Sequence, residues 1–219
     1  MKSFQYFNCK ALIGFFSLFV VAVAAQAADV QAVDNEFKEG THYRLLKPVQ
    51  PTADPQKIEV VELFWYGCPH CFSLEPYAES WHDKATDSID FIRIPAVFGK
   101  VWELHARAYY TAQYLGILEQ THTAFFEAFH QKNQHLDSND KVADFYVGFG
   151  AERQAVLDTM SSFAVNLKIK QAKSRAIKYS VRGVPAVVVN GKYLTDISMA
   201  GGSEKVFQVV DYLIGKESQ

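Results

Sequence analysis

Cysteine is scarce in this chain, with only 3 in 219 residues, at Cys9, Cys68 and Cys71. A disulfide-stapled scaffold is therefore excluded, since such folds rest on several well-spaced bridges. A structural zinc site is also poorly served, because it draws four ligands and usually two cysteine pairs. Excess charge of either sign is missing as well: 22 Lys and Arg stand against 24 Asp and Glu. That balance gives no footing for a nucleic-acid partner. There is no internal repeat and no low-complexity tract. No two histidines stand four apart on a helix to present a metal pair. The longest apolar run, Ala11 to Ala25, has 15 residues, short of the roughly 20 that a membrane span needs.

That run has its own meaning. Lys2 and Lys10 precede it, and Ala25-Gln26-Ala27 offers small residues at cleavage positions. This is the layout of a secretory signal peptide, expected to span 1–27 and to be removed. Cys9 would leave with it. The two lysines would leave too, taking the net charge from −2 to −4. The mature chain, 28–219, is long enough for one substantial core with an insertion. An exported chain with a single pair of cysteines, in an oxidising compartment, points to catalysis by that pair. A loop this small restrains the unfolded chain little, so an inert structural bridge is a poor reading.

The pair is Cys68-Pro69-His70-Cys71. The apolar, β-branched stretch Ile58 to Trp65 reads as a strand buried on both faces, and Gly67 ends it. Pro69 suits the first position of a helix, where its missing N–H is no loss. Leu74, Tyr77, Ala78, Trp81 and Ala85 then recur at helical spacing, with Pro76 read as a kink. Asp90 to Pro95 is a further strand. From about residue 99 to 180 the pattern turns helical, with helices expected over 101–115, 119–131, after Ser138, over 152–160 and over 163–179. A strand follows at 184–190. Asn190-Gly191 signals a hairpin into Lys192 to Thr195, and Ser203 is placed as the cap of a last helix. The fold class is thus α/β, with an all-helical insertion.

The chemistry follows from the strand-to-helix turn. Unpaired N–H groups and the positive end of the helix dipole favour a thiolate at Cys68. His70 adds a donor or positive charge, and both effects lower the Cys68 pKa. Cys71, one turn in, is expected to be buried and less reactive. Cys68 is therefore the sulfur that attacks or is attacked, and Cys71 the one that resolves. A stabilised thiolate stabilises the reduced protein and makes the disulfide a stronger oxidant. Haem attachment would need His at position 72, which is Phe72.

Taken together, the CPHC at 68–71, Val184-Pro185 before a strand, VNGKY at 189–193 and the helical insertion resemble the DsbA-type thiol:disulfide oxidoreductases of the bacterial periplasm. The likeness covers the whole mature chain. It implies a thioredoxin fold, 28–100 with 178–219, carrying an inserted helical domain, 101–177. It implies a cis Pro185 facing the cysteines, with Val184 offering its backbone to a substrate peptide. It further implies an acid and a lysine beneath the buried cysteine, matched here by Glu62 and Lys100, as a proton relay for Cys71. The expected function is donation of the Cys68–Cys71 disulfide to unfolded secreted proteins with free thiols. No further cofactor and no metal are expected. A quinone-linked inner-membrane partner of the DsbB type is expected to reoxidise the pair, and the protein is expected to be a periplasmic monomer. A disulfide isomerase or reductase is the alternative, as is a peptide-binding chaperone that uses the same groove. The other histidines, His105, His122, His130 and His135, are expected in surface or capping roles. Trp65 and Tyr66 are expected near the thiols, and the basic run 168–178 on a solvated face.

Overall fold

The computed structural model describes residues 37–218; the expected signal segment and Cys9 lie outside them. Five strands form one mixed sheet: β1 (Arg44–Leu45), β2 (Ile58–Phe64), β3 (Ile89–Pro95), β4 (Ala186–Val189) and β5 (Tyr193–Asp196). Their order across the sheet is β1-β5-β4-β2-β3. Strands β2 and β3 run parallel, with Glu62 opposite Arg93, while β4 pairs antiparallel to β2 and to β5. Helix α1 (Pro69–His82) makes the crossover from β2 to β3. Helices α2 (Lys100–Tyr114), α3 (Leu118–His130), α4 (Asn139–Val147), α5 (Arg153–Ser161) and α6 (Phe163–Lys178) all lie between β3 and β4. A short α7 (Ile197–Ala200) and a long α8 (Ser203–Glu217) complete the described residues.

Strand alternation sorts the core into two sides. Val60, Val187 and Val189 pack with Leu74 and Ala78 of α1 and with Val206, Val209 and Val210 of α8. Val61, Leu63 and Val188, one residue out of phase, pack with Ala106, Phe125, Val165 and Ala172 of the helical segment. This is the period-two geometry of a sheet covered on both faces. Val60, Val61 and Leu63 are fully buried, each contributing about 1.5–3 kcal/mol by leaving water.

Most element bounds agree with the sequence reading to within two residues. The last helix differs at its start. Ser203 is its first residue, the cap position is Gly202, and no side chain caps it. The four-residue α7, started by the Asp196 side chain, has no counterpart in the sequence reading. The hairpin signal holds for a steric reason. Gly191 lies at φ +61°, and a Cβ there would sit 2.1 Å from the Gln50 carbonyl oxygen.

Candidate active site

Cys68 is the N-cap of α1, and its Sγ accepts the Cys71 backbone N–H at 3.4 Å. The sulfur thus takes the place of an ordinary capping oxygen at the positive end of the helix. Pro69 occupies the first helical position, and the helix runs through Pro76 to His82. Gly67 is required by close approach: a Cβ there would lie 2.4 Å from the Trp65 indole. That indole stacks on Trp102 of α2 at 4.1 Å between centroids. Cys68 retains 7% exposure and Cys71 none, the expected asymmetry. Both are free thiols.

The Val184–Pro185 bond is cis, and the Cys68 Sγ donates to the Val184 carbonyl at 3.4 Å. A groove of about 700 Å³ opens beside this contact, lined by His70, Arg182, Val184, Pro185, Asp196 and Ile197. Cys68 is thus tied to the lining of this cleft through Val184, with exposed His70 on the rim. The pairing of Sγ with Cys71 lowers the Cys68 pKa to about 6, against partial burial, with His70 assisting. Burial, then the hydrogen bond and charge of Cys68, push the Cys71 thiol far above the ordinary range. The two sulfurs differ because one caps the helix and the other lies inside it.

Beneath Cys71 lies a cluster of charge. Glu62 is 1% exposed and receives Arg93 Nε at 3.2 Å. Arg93 Nη2 is 3.8 Å from Glu75 Oε2 and 2.8 Å from Glu79 Oε1. Burial raises Glu62 to about 7, with Arg93 working against it. Burial also acts to raise Glu75, but His122 and Arg93 outweigh it and hold that carboxyl at about 2. The expected partner of Glu62 was Lys100. Lys100 is instead exposed at the start of α2, and among the described residues it forms no ion pair. Arg93 takes the cationic place because parallel pairing sets it opposite Glu62 on the same face.

The histidines also depart from expectation. His105 is buried, its Nε2 3.2 Å from the Leu136 carbonyl, and burial lowers its pKa to about 4. His122 is buried between Tyr66 and Glu75. His130 is half-buried, with Nε2 2.8 Å from the Tyr66 carbonyl, and it stacks on Phe72. Only His135 is exposed, and it lies in the loop beyond α3. The basic run is not wholly solvated either, since Arg175 pairs with buried Glu59. Glu75, Arg93 and His122 were missed as site residues. Glu75 carried a local signal, one turn beyond Cys71 on the same helix face. Arg93 carried one in the matched lengths of β2 and β3. His122 carried none.

Residues 89–214 match the family described as a DSBA-like thioredoxin domain. That match starts after the cysteine pair, but whole-length relatives include it. The chain is 42% identical over 207 residues, 94% of both chains, to a thiol:disulfide interchange protein DsbA of Pseudomonas aeruginosa. It is 34% identical over 199 residues, 90% of this chain and 94% of the relative, to the protein of that name from Burkholderia cepacia. The crystal structure of Pseudomonas aeruginosa DsbA superposes with a TM-score of 0.80 over 83% of this chain and 95% of that one, at 42% identity. The DsbA structure from Xylella fastidiosa gives 0.78 over 83% and 97%, at 34% identity.

Proposed function

Since the chain belongs to the DsbA family of thiol:disulfide interchange proteins, with its thioredoxin-like fold, we propose for it a specific route of disulfide donation. The protein is a thiol:disulfide oxidoreductase that exchanges its Cys68–Cys71 disulfide with substrate proteins. A substrate thiolate attacks Cys68 Sγ, the Cys68–Cys71 bond breaks, and Cys71 departs and takes a proton. A second substrate thiolate then attacks the substrate sulfur of the mixed disulfide and releases Cys68 as thiolate. The substrate leaves oxidised and the protein reduced. Electron balance corrects one expected role. In this direction the substrate's second thiol resolves the mixed disulfide, and attack by Cys71 runs the exchange backwards.

The observation that carries the oxidising direction is the Cys68 sulfur at the helix cap, with its pKa near 6. Val184 and Pro185 form the substrate wall, with the Val184 backbone edge available to an extended peptide. Pro69 and His70 shape the cap. Glu62 carries the proton to and from Cys71, with Arg93, in place of Lys100, tuning it. The substrates are unfolded exported proteins with free thiols, and the site is periplasmic, reached through the signal at 1–27. A quinone-linked membrane partner of the DsbB type reoxidises the pair, no further cofactor takes part, and the protein acts as a monomer. Residues 28–100 with 178–219 make the thioredoxin-like part and 101–177 the insert.

The deciding measurement is the reduction potential against glutathione. An oxidase stands well above the value near −270 mV of cytosolic thioredoxin, and a potential at about that value would make the protein a reductase instead. Cys68→Ser abolishes oxidation of a reduced model substrate; full retention would favour a peptide-binding chaperone.

A further inference from the structure

Helix α3 of the insert reaches back to the acid cluster through one buried side chain. His122 is 4% exposed. Its Nδ1 is 2.8 Å from the Tyr66 hydroxyl, and its Nε2 is 3.5 Å from Glu75 Oε1. Among the described residues the Tyr66 hydroxyl makes no other hydrogen bond, so its proton goes to Nδ1. Nε2 then carries the ring proton and faces Glu75.

The cluster has a charge to resolve. Glu62, Glu75 and Glu79 share one guanidinium, that of Arg93. Glu79 is 42% exposed along its side chain and so reaches solvent. Glu62 and Glu75 are both buried, and one cation cannot hold both as anions at low cost. The choice of which keeps a proton falls to the remaining donors. Glu75 accepts from Thr123 Oγ1 at 3.4 Å and has His122 Nε2 within ion-pair range at 3.5 Å, a buried nitrogen that has no other partner among the described residues. Among the described residues Glu62 has Arg93 alone.

We propose that His122 is a positioning residue of the exchange site, which holds Glu75 as the carboxylate partner of Arg93 and so leaves Glu62 the proton that Cys71 takes and returns. The inference rests on the reading of Glu62 as proton carrier. The depressed Glu75 and the raised Glu62 agree with it. The ionisable groups facing this pair are Tyr66 of the turn after β2, Cys71 and Glu79 of α1, Arg93 of β3, Tyr109 of α2 and His122 of α3. Both tyrosines are pushed above the ordinary phenol range by burial, so near neutrality they add no charge.

A single-turnover assay on the reduced protein tests this. Ellman's reagent converts Cys68 to a mixed disulfide with thionitrobenzoate. Cys71 then passes its proton to Glu62, attacks Cys68 Sγ and expels the second thionitrobenzoate thiolate, which absorbs in the visible. The rate of that release is followed against pH. In the native protein it rises through an inflection near 7, the Glu62 value. In His122→Phe, Glu75 holds its own proton, Arg93 serves Glu62 alone, and the inflection falls by about one unit. His122→Gln, whose amide can still donate to Glu75, returns it at least halfway. If His122→Phe fails to fold by circular dichroism, His122→Asn, too short to reach Glu75, replaces it with the same expected fall. Glu62→Gln loses the inflection altogether. Retention of the native inflection in Glu62→Gln would overturn both the relay and this inference. Loss there, with an unmoved inflection in His122→Phe or equal shifts in Phe and Gln, would overturn the role of His122 and leave the relay standing.

Discussion

The helix-capping sulfur makes the stability of the dithiol form depend on pH in a way the disulfide form cannot share. Cys68 has a folded pKa of about 6 against an ordinary 9.0, while Cys71 is held protonated by burial. A lowered folded pKa contributes stability that is complete above the unfolded value and is lost as pH falls through the folded one. The window is therefore pH 6 to 9. Linkage gives about 1.4 kcal/mol at pH 7 and under about 0.1 kcal/mol at pH 5. In a two-electron couple, about 1.4 kcal/mol corresponds to roughly 30 mV toward a stronger oxidant. The assay is urea unfolding of both redox forms at pH 5, 6, 7 and 8. Carboxylates and histidines that titrate alike in the two forms cancel in the difference. The dithiol should gain about 1.4 kcal/mol relative to the disulfide between pH 5 and pH 7, and thiolate absorbance near 240 nm should rise with a midpoint near 6. A flat difference, or a midpoint near 9, would refute the capping account. Cys71→Ala, which keeps the backbone N–H but removes the Cys71 thiol that also supports the Cys68 sulfur, should raise the midpoint.

Two substitutions separate the charge beneath Cys71 from charge elsewhere. Arg93→Met leaves the Glu62 and Glu75 carboxyls buried with no cation, and should cost about 3–5 kcal/mol at pH 7.5 by urea unfolding. Since the penalty falls on the ionised acids, the share from Glu62 should fade as pH drops through about 7 and the share from Glu75 as pH drops towards about 2, the values the two carboxyls hold beside Arg93; a constant loss would contradict it. Arg175→Met removes the ion-pair partner of Glu59, a residue 2% exposed. It should cost roughly 2–3 kcal/mol, discounted because Arg175 still reaches solvent. The Cys68 midpoint should stay near 6 in that variant, and a moved midpoint would show that Glu59 and the thiols are coupled.

The order of strands and helices and the placing of the cysteine pair at the head of α1 were legible because both are local. Alternation in Val60-Val61 and the run of Val187 to Val189, the Pro69 start of α1 and the Asn190-Gly191 turn all act within a few residues. The groups under Cys71 were only half legible. Glu62 stands out as a charge in an apolar strand. Its true partner follows from which residue of β3 lies opposite, and that depends on register between segments 31 positions apart. Lys100 matched the expectation in residue type alone, whereas Pro95 ends the strand before it and puts it on the surface of α2. His122 was out of reach for a stronger reason. Its role exists only once α3 folds over the turn that precedes Cys68, and nothing in its neighbours on α3 marks it.

The two halves of the site answer the two steps of exchange. Exchange is fastest when the departing thiol has a low pKa. In the first step the departing sulfur is Cys71, whose thiol lies far above the ordinary range because it is buried. As a bare thiolate it would be a poor leaving group, so its departure needs a proton within the same buried space. Glu62, with a pKa near 7, can supply one at neutral pH, whereas Glu75, near 2, cannot. In the second step the departing sulfur is Cys68, with a pKa near 6, and it leaves as thiolate without help. One helix turn thus creates unequal sulfurs, and on the proposed route Glu62 offsets the cost that burial imposes on the deeper one. It follows that Glu62→Gln should slow formation of the mixed disulfide from the oxidised protein while leaving its breakdown by a second thiol unchanged. Stopped-flow mixing with a dithiol peptide separates the two phases, and equal slowing of both would place Glu62 outside the proton path.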